Sequence, residues 1–297
     1  MLPWPRMESA KLTVGVIGLG IMGGTFARHL VAAGIRTVGY DPLPEQTEAA
    51  GVVARPSARG VAEEADVLIT SLPHVAALEE VVDGIASAAR PSLLLIETST
   101  LPLESKENAR ARLAARGAGM LDAPVSGTGS QARVKDITVF ASGDRADFDR
   151  GRDLFEHFAR SVRFVGPFGA ASKLKFIANL LVAVHIVAAG EALALGEKAG
   201  FDPAELVDLL AGSAASSRML EVRGPIMAAS AYGPPLMKLD VFQKDLDLIA
   251  DFASRSGAAV PLFTASRPFY AEAAAQGMGG FDTASVIAVL RQIPGRP

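Results

Sequence analysis

The sequence contains no cysteine among its 297 residues, and it has a single tryptophan. Without cysteine the chain cannot form disulfides, bind a metal through thiolates or use a thiol as a nucleophile, and this composition is consistent with a reducing cytoplasm. A strong charge of either sign is also lacking, because the formal net charge at pH 7 is −3. Nucleic acid and an anionic membrane surface are therefore disfavoured as the main partner. No group of residues has the spacing of metal ligands, so we expect no metal site.

Targeting and membrane-spanning segments are also missing from the sequence. Its N-terminus has no continuous apolar stretch of the length found in signal peptides, and we expect residues 1–10 to form a flexible leader. The longest apolar run is interrupted by Asn179 and His185 and is shorter than the ~20 residues that a membrane-spanning helix requires. These features predict a cytoplasmic protein, long enough for two domains.

The order of apolar segments predicts an α/β fold. From Leu12 onwards short apolar runs alternate with amphipathic segments, as in a doubly wound sheet with helices on both faces. The predicted strands are LTVGVIG, TVGYD, DVLITSLP, SLLLIETST, MLDAPVSG and ITVFASGD. After Gly169 every periodic segment reads as a helix. We therefore predict a Rossmann-type domain over residues 11–171 and an all-α domain over 172–297 that begins with a long helix.

The first predicted strand leads into GLGIMG, a G-x-G-x-x-G segment formed by Gly18, Gly20 and Gly23. In dinucleotide-binding folds the first glycine permits a tight turn, the second lets a pyrophosphate approach the backbone, and the third allows helix and strand to pack closely. A strand precedes the segment and a helix follows it, as this interpretation requires. The alternative is that the glycines only form a turn. The candidate cofactor-binding residues in this segment are Gly18, Gly20, Ile21, Met22 and Gly23.

Asp41 ends the next predicted strand, 23 residues after Gly18. A carboxylate in this position can accept hydrogen bonds from a ribose 2′-hydroxyl and repels a 2′-phosphate. We therefore expect NAD to be preferred, with NADP possible; the alternative is that Asp41 only caps a loop.

Two lysines and an asparagine stand at the head of the apolar segment SKLKFIANLLVAVHIVAAG. On a helix Lys173 and Lys175 point roughly 200° apart, whereas Lys175 and Asn179 differ by only about 40°. Only one lysine can therefore share the asparagine's face. In the alternative interpretation both ammonium groups extend from the first turn into water.

The ordered motifs GLGIMGGTFARHL, SLP, ETST, DAPVSG, GPFGAASKLKFIAN and QKDLDLIAD resemble the β-hydroxyacid dehydrogenase family, which includes 3-hydroxyisobutyrate, tartronate semialdehyde and 6-phosphogluconate dehydrogenases. The resemblance extends over nearly the whole chain from Leu12. It implies hydride transfer between a small hydroxy acid and a nicotinamide cofactor, in a homodimer or homotetramer.

The resemblance also implies roles for particular residues. The family's K-x-x-x-N segment selects Lys175 as the general acid and base with Asn179 beside it, and the DAPVSG turn selects Ser126, Gly127 and the following Thr128 for substrate. Positions matching cofactor contacts are Leu72, Pro73, Thr100, Lys244 and Asp245. The alternative for the DAPVSG segment is a plain turn at the end of a strand. Pro73 can follow a strand without any function, and Lys244 with Asp245 can form a solvated helix face.

Three residues and one spacing depart from the family pattern; the spacing is that of STLP, which is one residue tighter than the common S-T-x-x-P. Ala171 and Thr128 stand where relatives often have glycine, and Arg218 stands where many have an aromatic residue. Arg218 is a candidate ligand for a second acidic group of the substrate, or simply a surface residue.

Two other functions remain open from the sequence. An imine reductase shares the architecture but typically lacks the lysine, and a catalytically silent NAD-binding protein would keep the fold without turnover.

Overall fold

A computed structural model of the chain describes residues 12–294. The expected leader, residues 1–10, lies outside the described residues. Contacts between residues divide the chain into two compact units, with the division between Lys175 and Phe176. The domain boundary predicted from the sequence, between residues 171 and 172, lies four positions earlier.

The first unit contains nine strands and seven complete helices among its described residues. The strands are β1 (Thr13–Ile17), β2 (Arg36–Tyr40), β3 (Val53–Ala54), β4 (Val67–Thr70), β5 (Leu94–Glu97), β6 (Gly119–Asp122), β7 (Val125–Ser126), β8 (Thr138–Ala141) and β9 (Ser161–Phe164). The helices are α1 (Ile21–Ala32), α2 (Pro44–Ala50), α3 (Ala58–Glu64), α4 (Val75–Ala88), α5 (Leu103–Ala114), α6 (Gly129–Arg133) and α7 (Arg145–Phe155).

Six strands form one parallel sheet in the order β3-β2-β1-β4-β5-β6. Every residue of β4 and β5 is buried, and apolar clusters cover both faces of the sheet. The continuous apolar runs in the sequence arise from this burial, because a parallel sheet covered on both faces leaves no strand face in water. The order is that of a doubly wound nucleotide-binding fold, so the predicted fold class is confirmed.

A second, three-stranded sheet, β7-β8-β9, extends the first unit. The backbones of Asp122 and Ser142 exchange two hydrogen bonds, which join the end of β6 to the residue after β8. The sequence analysis missed β3 and β9. The first has two exposed residues and the second has no residue that is fully buried, so neither carries an apolar pattern.

The second unit is helical over its described residues. Its elements are the main part of α8 (Ala170–Lys198), then α9 (Pro203–Ala211), α10 (Arg218–Ala229), α11 (Leu239–Arg255), α12 (Pro261–Ala273) and α13 (Val286–Gln292). Helix α12 begins at Pro261, and proline is well suited to a first helical turn. Its end passes into a π-helical turn, in which Gly277 has a φ of 81°.

Helix α8 is buried in the core on one side and uncovered on another. Phe176, Ala183 and Ile186 lie in the apolar core of the second unit, but Ile177 and Leu181 are 52% and 50% exposed. An apolar sequence pattern shows that a helix face lacks polar residues. It does not indicate whether that face is buried within the same chain or left uncovered.

Among the described residues α8 is the one helix long and apolar enough to cross a membrane, with a mean hydropathy of 1.9 in its 18-residue window. The helix has 29 residues and so extends beyond the apolar run at both ends. The same helix supplies buried side chains to the apolar core of the second unit.

Candidate active site

The predicted motifs of the first unit all follow the carboxyl ends of neighbouring strands. The glycine segment follows β1, SLP follows β4, ETST ends β5, and DAPVSG begins at the last residue of β6. Parallel strands bring these ends to the same edge of the sheet. The chain reverses its direction of winding between β1 and β4, which is where doubly wound folds bind their ligands.

The three glycines after β1 have different spatial requirements. Gly18 has a φ of 82°, and an added Cβ would lie 2.3 Å from the carbonyl oxygen of Ser71. An added Cβ at Gly23 would lie 1.9 Å from the carbonyl oxygen of Gly18, so these two glycines are needed for packing. At Gly20 an added Cβ would meet nothing within 4 Å. The exposed backbone at Gly20 thus leaves room for a pyrophosphate, as a dinucleotide requires.

Helix α1 begins directly beside this space. Its N-cap is Gly20, which has no side chain to cap the first amides, and no acidic residue lies in the first turn. The N–H groups of a first helical turn have no partner within the helix, and with the helix dipole they favour an anion. Ile21 is 66% exposed and Met22 is half-buried at the same end. These residues fit a dinucleotide phosphate.

Asp41 lies beside the glycine segment, as predicted. Its Oδ2 accepts a hydrogen bond from the N–H of Leu19 at 2.7 Å, and its Oδ1 accepts one from the N–H of Leu43 at 3.0 Å. Arg55 follows β3, the neighbour of β2, but its Nε donates to Glu64 at 2.7 Å. The carboxylate is thus fixed at the end of β2, while the guanidinium of Arg55 is already paired with an acid.

The segments after β4 and β5 are tied together. The N–H of Leu72 donates to the hydroxyl of Ser99 at 2.7 Å, with both residues buried. Pro73 is exposed and Thr100 is half-buried at the same edge of the sheet. The hydrogen bond fixes the spacing of two segments in which we expect cofactor contacts.

The DAPVSG turn has a defined backbone. Ser126 pairs with Thr138 in the antiparallel ladder of β7 and β8, and Gly127 has a φ of 144°. A Cβ on Gly127 would lie 2.5 Å from Ile137, so no larger residue fits there. This explains the position of the glycine next to the candidate substrate serine.

Thr128 has a structural role that the sequence did not reveal. It is the N-cap of α6, its hydroxyl accepts from the N–H of Gln131, and its own N–H donates to Oε1 of Gln131 at 3.0 Å. This reciprocal pair is a capping box, which explains why a residue other than glycine is accommodated here.

Lys175 lies in the first turns of α8 and is half-buried, whereas Lys173 is exposed. Asn179 follows Lys175 one turn later and is only 5% exposed. In the second unit, Nδ2 of Asn179 donates to Oδ2 of Asp245 at 2.8 Å. The ammonium group of Lys244 lies 3.6 Å from the other oxygen of Asp245. The structure thus brings three of the predicted residues together, Asn179, Lys244 and Asp245.

Arg218 is the first residue of α10 and is 63% exposed through its side chain. It forms an ion pair with Glu221 at 3.1 Å.

Sequence reasoning missed a group of buried charges below the strand ends. The ammonium group of Lys106, in α5, lies 2.7 Å from Glu97, 2.9 Å from Asp122 and 2.6 Å from the carbonyl oxygen of Ser99, and all three charged side chains are fully buried. Burial lowers the pKa of Lys106, but attraction to Asp122 and Glu97 outweighs it and raises that pKa above its ordinary value. The sequence does not single out Lys106, because its helix contains several other charged residues. The sequence signal that could have indicated this group is that two adjacent apolar strands, β5 and β6, both end in an acidic residue, Glu97 and Asp122.

No three histidine, aspartate or glutamate side chains between residues 12 and 294 are grouped so that they could hold a metal ion.

The glycine turn and the strand order together define a Rossmann-type dinucleotide-binding enzyme. Residues 13–166 match the family model of the NAD-binding domain of 6-phosphogluconate dehydrogenase. Residues 169–290 match a model described as NAD-binding of NADP-dependent 3-hydroxyisobutyrate dehydrogenase.

Individual proteins agree with the family models. The chain is 36% identical to L-threonate dehydrogenase of Cupriavidus necator, over 95% of this chain and 98% of that protein. It is 33% identical to 2-hydroxy-3-oxopropionate reductase of Escherichia coli, over 94% and 97% of the two chains. The crystal structure of 3-hydroxyisobutyrate dehydrogenase from Salmonella typhimurium superposes with a TM-score of 0.85 at 34% identity, covering 94% of this chain and all of the other.

The chain belongs to the β-hydroxyacid dehydrogenase family. It is an oxidoreductase that uses NAD or NADP and acts on small hydroxy acids. An imine reductase from Pseudomonas, with 21% identity and a TM-score of 0.56, shares the fold only. This chain is therefore less similar to the imine reductases than to the hydroxy acid dehydrogenases.

Proposed function

We propose that the protein transfers a hydride between a small β-hydroxy acid of the 3-hydroxyisobutyrate type and NAD, with Lys175 as the general acid and base. The observation that carries this proposal is the placement of Lys175 one helical turn before the buried Asn179, whose amide group is itself held by Asp245.

In the oxidative direction Lys175 accepts the proton of the substrate hydroxyl. As the O–H bond breaks, a carbonyl group forms and the hydrogen on the same carbon leaves as a hydride. A nicotinamide cofactor held at the glycine turn and Asp41 would supply the hydride acceptor. In the reductive direction Lys175 returns the proton to the oxygen. A lysine can act as the base only in its neutral form, which burial or neighbouring positive charge favours.

Asn179 is oriented for a supporting role. Its Nδ2 carries two hydrogens, one of which is donated to Asp245. The second can be donated to the reacting oxygen, where negative charge develops as the proton leaves. Asp245 thereby fixes the direction of the amide and keeps Lys244 nearby as a candidate cofactor ligand.

We assign the substrate carboxylate to Ser126 and to the backbone of Gly127. Thr128 keeps this turn in place by capping α6. Arg218 is the candidate ligand for a second acidic group on the substrate, because its exposed pair with Glu221 is weak and easily exchanged.

NAD is the proposed cofactor. The charge of Asp41 repels a 2′-phosphate, and the neighbouring Arg55 is already paired with Glu64. We further propose that the enzyme is cytoplasmic and that two or four copies associate through the uncovered apolar face of α8.

The test is nicotinamide absorbance with NAD and NADP in the presence of L-threonate, 3-hydroxyisobutyrate, 3-hydroxypropionate, glycerate and their oxidised partners. We expect turnover with NAD on at least one acid. Replacing Lys175 with alanine should lower kcat by about 10²- to 10⁴-fold, the usual contribution of general acid-base catalysis, while the Kd for NAD is retained.

Lys173→Ala is the matched control, because that lysine lies in the same stretch of helix but is exposed. Near-normal turnover of Lys175→Ala, or a loss confined to Lys173→Ala, would show that the lysine is wrongly assigned.

A further inference from the structure

Asp122 belongs to the group of buried charges and also forms hydrogen bonds to the first turn of α8. Its Oδ1 accepts from the ammonium group of Lys106 at 2.9 Å and from the hydroxyl of Ser172 at 2.7 Å. Its Oδ2 accepts from the N–H of Ser172 at 2.8 Å and from the hydroxyl of Ser142 at 3.2 Å. A carboxylate has about four acceptor sites, so these four donors saturate it and leave it one orientation.

These contacts cap α8 from outside the helix. The second and third residues of the helix, Ala171 and Ser172, donate their N–H groups to Ser142 and Asp122, at 3.0 and 2.8 Å. The first N–H groups of a helix usually donate to the side chain of the residue just before the helix. Here the cap comes from a strand 50 positions earlier in the chain, so the start of α8 is fixed relative to β6.

Asp122 also begins the segment that contains the candidate substrate turn. It is the last residue of β6 and stands four positions before Ser126, while Ser172 stands three positions before Lys175. One side chain therefore connects the backbone that leads to the proposed carboxylate ligand with the helical turn that carries the proposed acid-base group.

Lys106 and Glu97 hold this connection in place. The ammonium group has three hydrogens and three acceptors around it, on Glu97, Asp122 and Ser99. No side chain of the three charged residues reaches solvent.

We propose that Asp122 is a positioning residue of the reaction, which sets the first turn of α8, and with it Lys175, at the distance from the substrate turn that proton transfer requires. Lys106 and Glu97 orient Asp122, and Ser172 transmits its position to the helix. The inference rests on the proposed role of Lys175.

Two substitutions test this positioning. Ser172→Ala removes one hydrogen bond and leaves the N–H of residue 172 on Asp122, and Asp122→Asn removes the charge at nearly constant size. We expect kcat to fall about tenfold in the first and about 10²-fold in the second, since a displacement near 1 Å can cost about 10²-fold. The Kd for NAD should stay within about twofold, because the glycine turn is untouched.

The solvent deuterium isotope effect on kcat is the readout that a merely structural role would not move. Misplacement of Lys175 makes proton transfer slower relative to the other steps, so the isotope effect should rise in both variants. In Ser172→Ala the KM for the hydroxy acid should stay unchanged, because the hydroxyl of Ser172 bonds to Asp122 and not to the proposed substrate ligands Ser126 and Gly127.

Ser266→Ala is the matched control. Ser266 is also a buried helical serine whose hydroxyl makes one hydrogen bond, to the carbonyl oxygen of Phe263 at 2.8 Å. It should leave kcat and the isotope effect unchanged.

The outcomes separate the two proposals. If Lys175→Ala is inactive while a folded Ser172→Ala has the kcat and isotope effect of the parent, the positioning role is refuted and the acid-base role stands. If Lys175→Ala retains turnover, the acid-base role fails first and the positioning role fails with it. Should Asp122→Asn not fold, the Ser172→Ala measurement decides alone.

Discussion

At the scale of single residues, a glycine can be required by the fold or by the ligand, and the segment between β1 and α1, with the first turn of α1, contains both kinds. Gly23 has no room for a Cβ because of the carbonyl oxygen of Gly18, whereas the space around Gly20 is open. The same residue type thus serves packing in one position and access in the other.

We predict that Gly20→Ala and Gly23→Ala change different properties: the first weakens NAD binding and the second lowers the free energy of unfolding. Gly20 has an extended backbone that alanine adopts, so Gly20→Ala should keep the free energy of unfolding while weakening NAD binding by about tenfold or more, or ~1.4 kcal/mol. Gly23→Ala should lower the free energy of unfolding by about 1–3 kcal/mol because the new methyl group overlaps the backbone. Calorimetric titration with NAD and urea unfolding measure the two quantities. If Gly20→Ala binds NAD with unchanged affinity, the pyrophosphate does not bind at Gly20.

At the scale of elements, α5 is attached to the sheet by a buried ion group as well as by apolar contacts. Lys106 extends from α5 to Glu97 at the end of β5 and Asp122 at the end of β6. Removing one member of a buried ion group leaves the remaining charges uncompensated, which usually costs more than the group itself contributes.

We predict that Lys106→Met lowers the free energy of unfolding by about 3–5 kcal/mol near neutral pH. Folding raises the pKa of Lys106 above its ordinary value of 10.5, so the stabilisation is complete below pH 10.5 and is lost as the pH rises through the higher folded value. The difference between the parent and the variant should therefore shrink only in strongly alkaline solution. Urea unfolding across this pH range measures it, with the exposed Lys173→Met as the control. A difference that disappears already near neutral pH would contradict the charged state assigned to Lys106.

At the scale of the whole molecule, one face of α8 remains uncovered. Ile177, Leu181 and Leu195 are 52%, 50% and 70% exposed, and Ile177 and Leu195 are separated by about five turns of 3.6 residues, which places them on the same face. A helix of 29 residues is about 43 Å long, so this face extends along most of it. Such an apolar face is typical of a contact between subunits.

We predict that Ile177→Asp together with Leu181→Asp converts a dimer or tetramer into a monomer, because each charge would have to be buried at the contact. Sedimentation equilibrium measures the mass. Leu262→Asp, on α12, changes a leucine that is 72% exposed, more than either of these two residues, and should leave the mass unchanged. A parent protein that is already monomeric at micromolar concentration would exclude this contact.

Much of the fold could be predicted from the sequence because its signals are local. The strand runs before GLGIMG, SLP and ETST contain their own evidence of burial, and the spacing of Gly18, Gly20 and Gly23 identifies the phosphate turn. Strands such as β3 could not be predicted, because two exposed residues carry no pattern.

The candidate site was only partly accessible to sequence reasoning. Helical geometry and family motifs both indicated Lys175 with Asn179, since the two residues lie one turn apart on one helix. The partner of Asn179, Asp245, lies 66 positions away, and its hydrogen bond to the asparagine became evident only from the fold.

By itself, the sequence determined the doubly wound sheet, the helical second part and the nucleotide-binding turn, because apolar periodicity and glycine spacing depend on neighbouring residues. Only the tertiary structure decided which charges are buried together and which apolar face is left uncovered. Lys106 reads as one more lysine of a charged helix, and Asp122 as one letter of a motif, until the sheet places their side chains 2.9 Å apart. The free energy of a buried charge depends on partners from distant segments, and no local pattern records them.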